Sequence, residues 1–286
     1  MGKKWLGRVQ AGLYGVVNGR FCIALLLVFV MECIMVDGTS EFLREWNLRI
    51  TPWMLPHYFS DGLFRVYYGF IVCYMYADVP FMSRSEMLRV IRYGRFRWAV
   101  AKEGVIGLRS VLMAVWLWIW SVLLYIPHLT FSRDWGTAIR SLSYTLANTE
   151  KYAIWGGGSA SILGRYEPIQ ALLLCMGLLV AVTVMIGLIM MMLSLYAGRT
   201  VAITAAMVLS GLAIDLSGRP MIMKLYYISP YTWLDVGCYD RQAFVINRYP
   251  GLQYVCSITG MLIIIFTIMI VMRMKRTEFK WNNEEA

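Results

Sequence analysis

The sequence predicts an all-α integral membrane protein with six transmembrane helices and both termini cytoplasmic. Three observations predict it. First, its 286 residues are 59% hydrophobic and only 15% charged, with a mean hydropathy of +0.59, whereas soluble domains carry about a quarter charged residues. Second, apolar runs near the roughly 20 residues needed to cross a hydrocarbon core recur over 20–36, 62–79, 105–126, 169–196, 201–216 and 252–272. Third, an N-terminus placed inside puts fifteen basic residues in short cytoplasmic segments and ten in much longer outer ones. This is the asymmetry that orients membrane proteins.

The elements follow in order. Residues 1–19 space Trp5, Leu6, Val9, Leu13 and Val16 at three- and four-residue intervals, the pattern of a helix lying in the headgroup plane. The apolar run after Lys3, Lys4 and Arg8 begins too late and runs too long for a cleaved signal, so 20–36 is expected to remain as the first span. Glu32 lies inside it, and Arg65 lies at a similar depth in the second span if the two form an antiparallel hairpin. A Glu32–Arg65 ion pair is therefore expected, neutralising two charges that lipid would not accept singly. Arg109 is expected to snorkel from the third span to the interface, and Asp37, Asp78 and Asp215 lie near helix ends.

Between spans two and three, residues 83–102 carry Arg84, Arg89, Arg92, Arg95, Arg97 and Lys102 against the single acid Glu86. This is the densest basic stretch of the chain, and Arg95, Arg97 and Trp98 are expected to anchor its exit at the headgroups. Met185, Met190, Met191 and Met192 give the fourth span a soft face. Arg199 divides that span from the fifth, where Ala202, Ala206 and Ser210 form a smooth ridge for close helix packing. Two outer segments are long, 127–168 and the proline-broken, aromatic 218–251.

Several function classes are excluded by what is missing. The net charge of +10 sorts by membrane side rather than forming a nucleic-acid stripe. The six cysteines contain no CxxC pair, and His57 and His128 are far apart, so no metal or redox site is expected. The glycine-rich 155–164 lacks the Lys-Ser/Thr of a phosphate-binding loop, and no GxSxG or HExxH appears.

Two local strings complete the pattern. Residues 92–102, RYGRFRWAVAK, resemble an "RYGSR..W...K" string, and 227–234, YISPYTWL, resemble a "P..W" stretch after a fifth span. With the six spans, the interfacial helix and the basic loop, the whole chain resembles the ABC-2 type permease subunits of bacterial ABC exporters. The resemblance implies that 83–93 is a coupling helix docked in the ATPase, with Met87, Leu88 and Ile91 as its apolar contact and Arg84, Glu86, Arg89 and Arg92 as its polar rim. It further implies short re-entrant or interfacial helices between spans five and six.

The same resemblance implies a non-enzymatic subunit in the bacterial cytoplasmic membrane that forms half of a translocation pathway. Its partners would be an ATP-binding cassette ATPase, which holds ATP and Mg, a second permease copy or relative, and membrane lipid, with no nucleic acid. An amphipathic peptide, an antimicrobial or a lipid would suit the apolar lining. A membrane scaffold or sensor, and a membrane-embedded lipid-modifying enzyme, are the alternative readings.

Overall fold

The computed structural model describes residues 16–79, 90–91, 94–144, 159–213, 223–239 and 249–276. Among these residues the chain is helical with no strand, and an isolated bridge joins Ile50 to Leu129. The helices are α1 (Gly19–Glu45), α2 (Leu55–Tyr58), α3 (Gly62–Tyr76), α4 (Arg95–Leu123), α5 (Gly136–Tyr144), α6 (Ala160–Arg165), α7 (Pro168–Tyr196), α8 (Arg199–Gly211) and α9 (Leu252–Arg276).

Four of them, α1, α4, α7 and α9, are long and apolar enough to cross a membrane. The other two expected spans are shorter helices. At 1.5 Å per residue, α3 with 15 residues and α8 with 13 extend about 22 and 20 Å, short of a core roughly 30 Å thick.

Packing, not hydropathy, sets the ends of the long helices. Helix α1 runs nine residues past the expected boundary at 36, because Thr39, Phe42 and Leu43 continue the buried face that carries Met35. Helix α4 begins ten residues before 105. Gly94 turns the chain at φ +84, a conformation open to glycine, and the next turns bury Trp98, Ala99 and Lys102.

Helix α7 is apolar on all sides, the mark of a helix surrounded by others. It packs against α3, α4, α8 and α9, and Met185, Met190 and Met191 lie in the core it forms. The small ridge of α8 meets α3: Ala202, Ala206 and Ser210 are buried, and a Cβ on Gly69 would stand 2.7 Å from the Ser210 Cβ. Ordinary packing within the chain thus uses that ridge.

Above the two short helices sits the segment after α8. Its 3-10 turn Pro230–Leu234 lies against α3, α7 and α8, and the buried Tyr231 hydroxyl donates to the Gly69 carbonyl at 3.4 Å. The loops at this end are tied together as well. Ile50 N–H donates to His128 O at 2.9 Å, and Thr130 N–H donates to Ile50 O at 2.8 Å. Helices α5 and α6 fall within the long 127–168 segment. The bundle therefore has one loop-rich end and one basic end, where α1, α4 and α8 start and α3 finishes.

Candidate functional site

At the basic end, the chain leaves α3 through Ala77 and Asp78, just before residues 80–93. Asn18 caps α1, its Oδ1 accepting from Phe21 N–H at 2.8 Å, which satisfies one of the free amides of that helix end. Its Nδ2 then donates to Asp78 Oδ2 at 2.6 Å. Arg109 of α4 is fully buried, donates from Nε to Val16 O at 2.8 Å, lies over the Phe21 ring and stands 4.0 Å from Asp78 Oδ1. Arg199, at the start of α8, donates to Ala77 O at 2.7 Å.

Immediately before Ala77, the Tyr76 hydroxyl bonds Ile106 O at 3.0 Å and Ser110 at 2.8 Å on α4. Beside it Gly187 of α7 comes so close that a Cβ would meet Ile106 at 2.5 Å. Two residues in sequence thus connect to α1, α4 and α8. Arg109 does not snorkel, because the Val16 carbonyl and the Asp78 carboxylate offer partners inside the bundle.

Of the residues expected to form the coupling surface, Arg84, Glu86, Met87, Leu88, Arg89 and Arg92 lie outside the described residues. Ile91 is helical and 79% exposed, while Val90 beside it is buried. Arg95 and Arg97 are exposed as expected, but Trp98 is buried with Lys102 Nζ over its ring. Of the three expected anchors, only the two arginines are exposed.

The Glu32–Arg65 pair is replaced by another. Arg65 bonds Asp235 Oδ2 at 3.1 Å and donates to Phe59 O at 2.8 Å, with both charged residues buried. The expectation rested on equal depth. Because α1 runs on to Glu45, Glu32 lies thirteen residues, about 20 Å, from that helix end, while Arg65 is in the first turn of α3. Asp235 also accepts from Gly237 N–H at 2.9 Å, Ser60 Oγ at 3.3 Å and Cys238 Sγ at 2.8 Å. No local pattern marks this aspartate. It follows the "P..W" stretch directly and gains its partners only when the loops meet.

Next to this lock stand His57, Ser159 and Ser161. Ser159 N–H donates to His57 Nδ1 at 2.9 Å, the two serine hydroxyls are 2.8 Å apart, and Gly237 is pressed against both. Burial lowers the His57 pKa to about 3, so the ring is neutral, and the bond at Nδ1 puts its proton on Nε2. In that tautomer His57 has no free lone pair with which to take a hydroxyl proton, so the cluster does not assemble a nucleophile and base. Among the described residues no group of three His, Cys, Asp or Glu side chains could hold a metal ion. Comparison with family models, with curated proteins and with solved structures found no match.

Proposed function

We propose that the chain is the permease subunit of an ATP-driven ABC exporter, working with a separate ATPase and a second permease to move an amphipathic peptide, antimicrobial or lipid-like cargo across the bacterial cytoplasmic membrane. The observation that supports this reading is the junction around Asp78. A segment that receives force from a partner has to pass it to the helices, and 80–93 joins the bundle where Ala77 and Asp78 connect to α1, α4 and α8. Closure of two ATPases upon ATP would move this segment, and the hydrogen bonds at Asn18 and Arg199 with the 4.0 Å ion pair to Arg109 would carry the displacement into three helices at once. The free energy comes from the difference in ATP affinity between the two states. In this reading the short α3 and α8, capped by Pro230–Leu234, form the stretch of the barrier that is thinnest and most easily reopened.

The test is coexpression with the cognate ATPase, sought as a small Walker-motif ATPase encoded beside the gene. Wild-type chain is expected to copurify with it, and Arg89→Ala with Arg92→Ala to lose it. Asp78→Asn is expected to keep the ATPase bound while transport per ATP hydrolysed falls about tenfold, roughly the 1.4 kcal/mol of one charge-assisted hydrogen bond. An ATPase that never copurifies, or binding and transport that survive the Arg89 and Arg92 changes, would sink the proposal.

A further inference from the structure

The last turns of α4, residues 116–123, alternate three tryptophans with aliphatic residues. One side of this stretch is taken by α1. The Trp116 indole donates to Leu25 O at 3.0 Å, and the Trp120 ring stands edge-on to Phe29 with centroids 4.5 Å apart. The other side presents Trp118, Ile119, Val122 and Leu123 as the floor of an open groove of about 500 Å³ at the loop-rich end.

Two loops fastened to each other make its wall. Thr51 Oγ1 donates to Trp135 O at 2.9 Å, and Trp53 Nε1 donates to Ser132 O at 2.8 Å. The second bond holds the Trp53 ring beside the groove, and Phe131, 82% exposed, lines it from the facing loop. Arg133 is the one charged residue of the lining. Among the described residues its guanidinium has no hydrogen bond or ion pair. The two loops carry Arg49 and Arg133 against Asp134, all three exposed, so the rim is positive on balance.

An apolar floor, aromatic walls and a cationic rim repeat the order of a membrane interface, where rings lie at headgroup level and cations face phosphate. The volume falls within the roughly 300–1,000 Å³ of small-molecule sites. We infer that the groove binds one anionic phospholipid of the leaflet at the loop-rich end, an acyl chain lying along Trp118, Ile119, Val122 and Leu123 and the phosphate paired with Arg133. A purely apolar ligand leaves Arg133 without a counter-ion, and a soluble anion leaves the aromatic floor wet. An amphiphile with an acidic head satisfies both. A zwitterionic lipid fits less well, because its own ammonium competes with Arg133 for the phosphate. None of this depends on an ATPase partner.

The test uses the full chain in neutral detergent micelles with a trace of phosphatidylglycerol carrying a diazirine on its acyl chain, followed by irradiation and mass spectrometry of residues 110–133. Label is expected on 118–123. Unlabelled phosphatidylglycerol is expected to displace it about tenfold better than phosphatidylcholine, the effect of one charge-assisted hydrogen bond. Arg133→Gln should abolish that preference and Arg133→Lys, which keeps the charge, should retain it. The melting temperature of Arg133→Gln is expected to match wild type, since the side chain is exposed and bonds nothing in the chain, so a lost preference is not a lost fold. Equal displacement by the two headgroups in wild type marks ordinary boundary lipid and overturns the site, as does a preference that survives in Arg133→Gln. Absence of label on 118–123, as when a second copy of the chain covers the groove, overturns it too.

Discussion

Arg65 and Glu32 are both sealed inside this bundle, and their surroundings differ completely. Arg65, at the loop-rich end, is held by Asp235 and by the Phe59 carbonyl, and that aspartate accepts in turn from Gly237 and Cys238 of its own loop and from Ser60. Glu32, in the middle of α1, is fully buried and its carboxyl oxygens have no bonded partner. The difference teaches where charge serves as a structural lock and where it does not. Loops can bring a distant counter-ion to a helix end. The middle of a helix is reached only by what the neighbouring helices carry there.

Breaking the lock should have the largest effect. Arg65→Ala strands Asp235 in the bundle and is expected to cost about 3–5 kcal/mol, read as lowered thermal stability and yield in detergent. Adding Asp235→Ala should recover part of that loss, since no lone charge remains. A double mutant as unstable as the sum of the single ones would mean the two residues do not act as a pair.

The next effect tests the neighbouring histidine by pH. Burial holds the folded His57 pKa at about 3 against an ordinary 6.5, so between those values the unfolded chain takes up a proton that the folded one refuses. This contribution to stability is fully present above pH 6.5 and declines toward pH 3, by about 1.4 kcal/mol per pH unit where the difference is full. In His57→Gln that part of the slope should vanish, which melting curves between pH 6.5 and 4 would show. Equal slopes in both proteins would place His57 in contact with water.

The smallest effect is expected where the comparison began. Glu32→Gln removes a group with no bonded partner and keeps its volume, so at neutral pH stability should change by less than about 1 kcal/mol. A loss as large as that of Arg65→Ala would show that Glu32 is also a lock, with a partner inside the chain.

Much of the helical layout was legible because it rests on local regularities. The run 169–196 matches α7 within one residue at its start, since an all-apolar stretch behind a proline leaves little choice of boundary. The C-terminal end of α1 and the start of α4 were misjudged because polar residues there continue a buried face, which hydropathy reads as an ending. In the candidate sites Arg65, Glu32 and Asp78 were visible as charges near or within apolar runs, but their partners were not. Asn18 and Asp235 belong to segments far away in the chain, and nothing at those positions foretells what they meet.

The sequence by itself determined that this chain is helical and suited to a membrane, because the length and apolarity of a helix are properties of neighbouring residues. The tertiary structure decided that α3 and α8 are short and mutually packed, that Arg65 belongs to Asp235, that Arg109 is drawn inward to Val16 and Asp78, and that Glu32 has no bonded partner. Pairing inside an apolar bundle depends on which side chains arrive at the same depth and angle. Depth is set by where each helix ends, and here packing between distant segments fixes those ends.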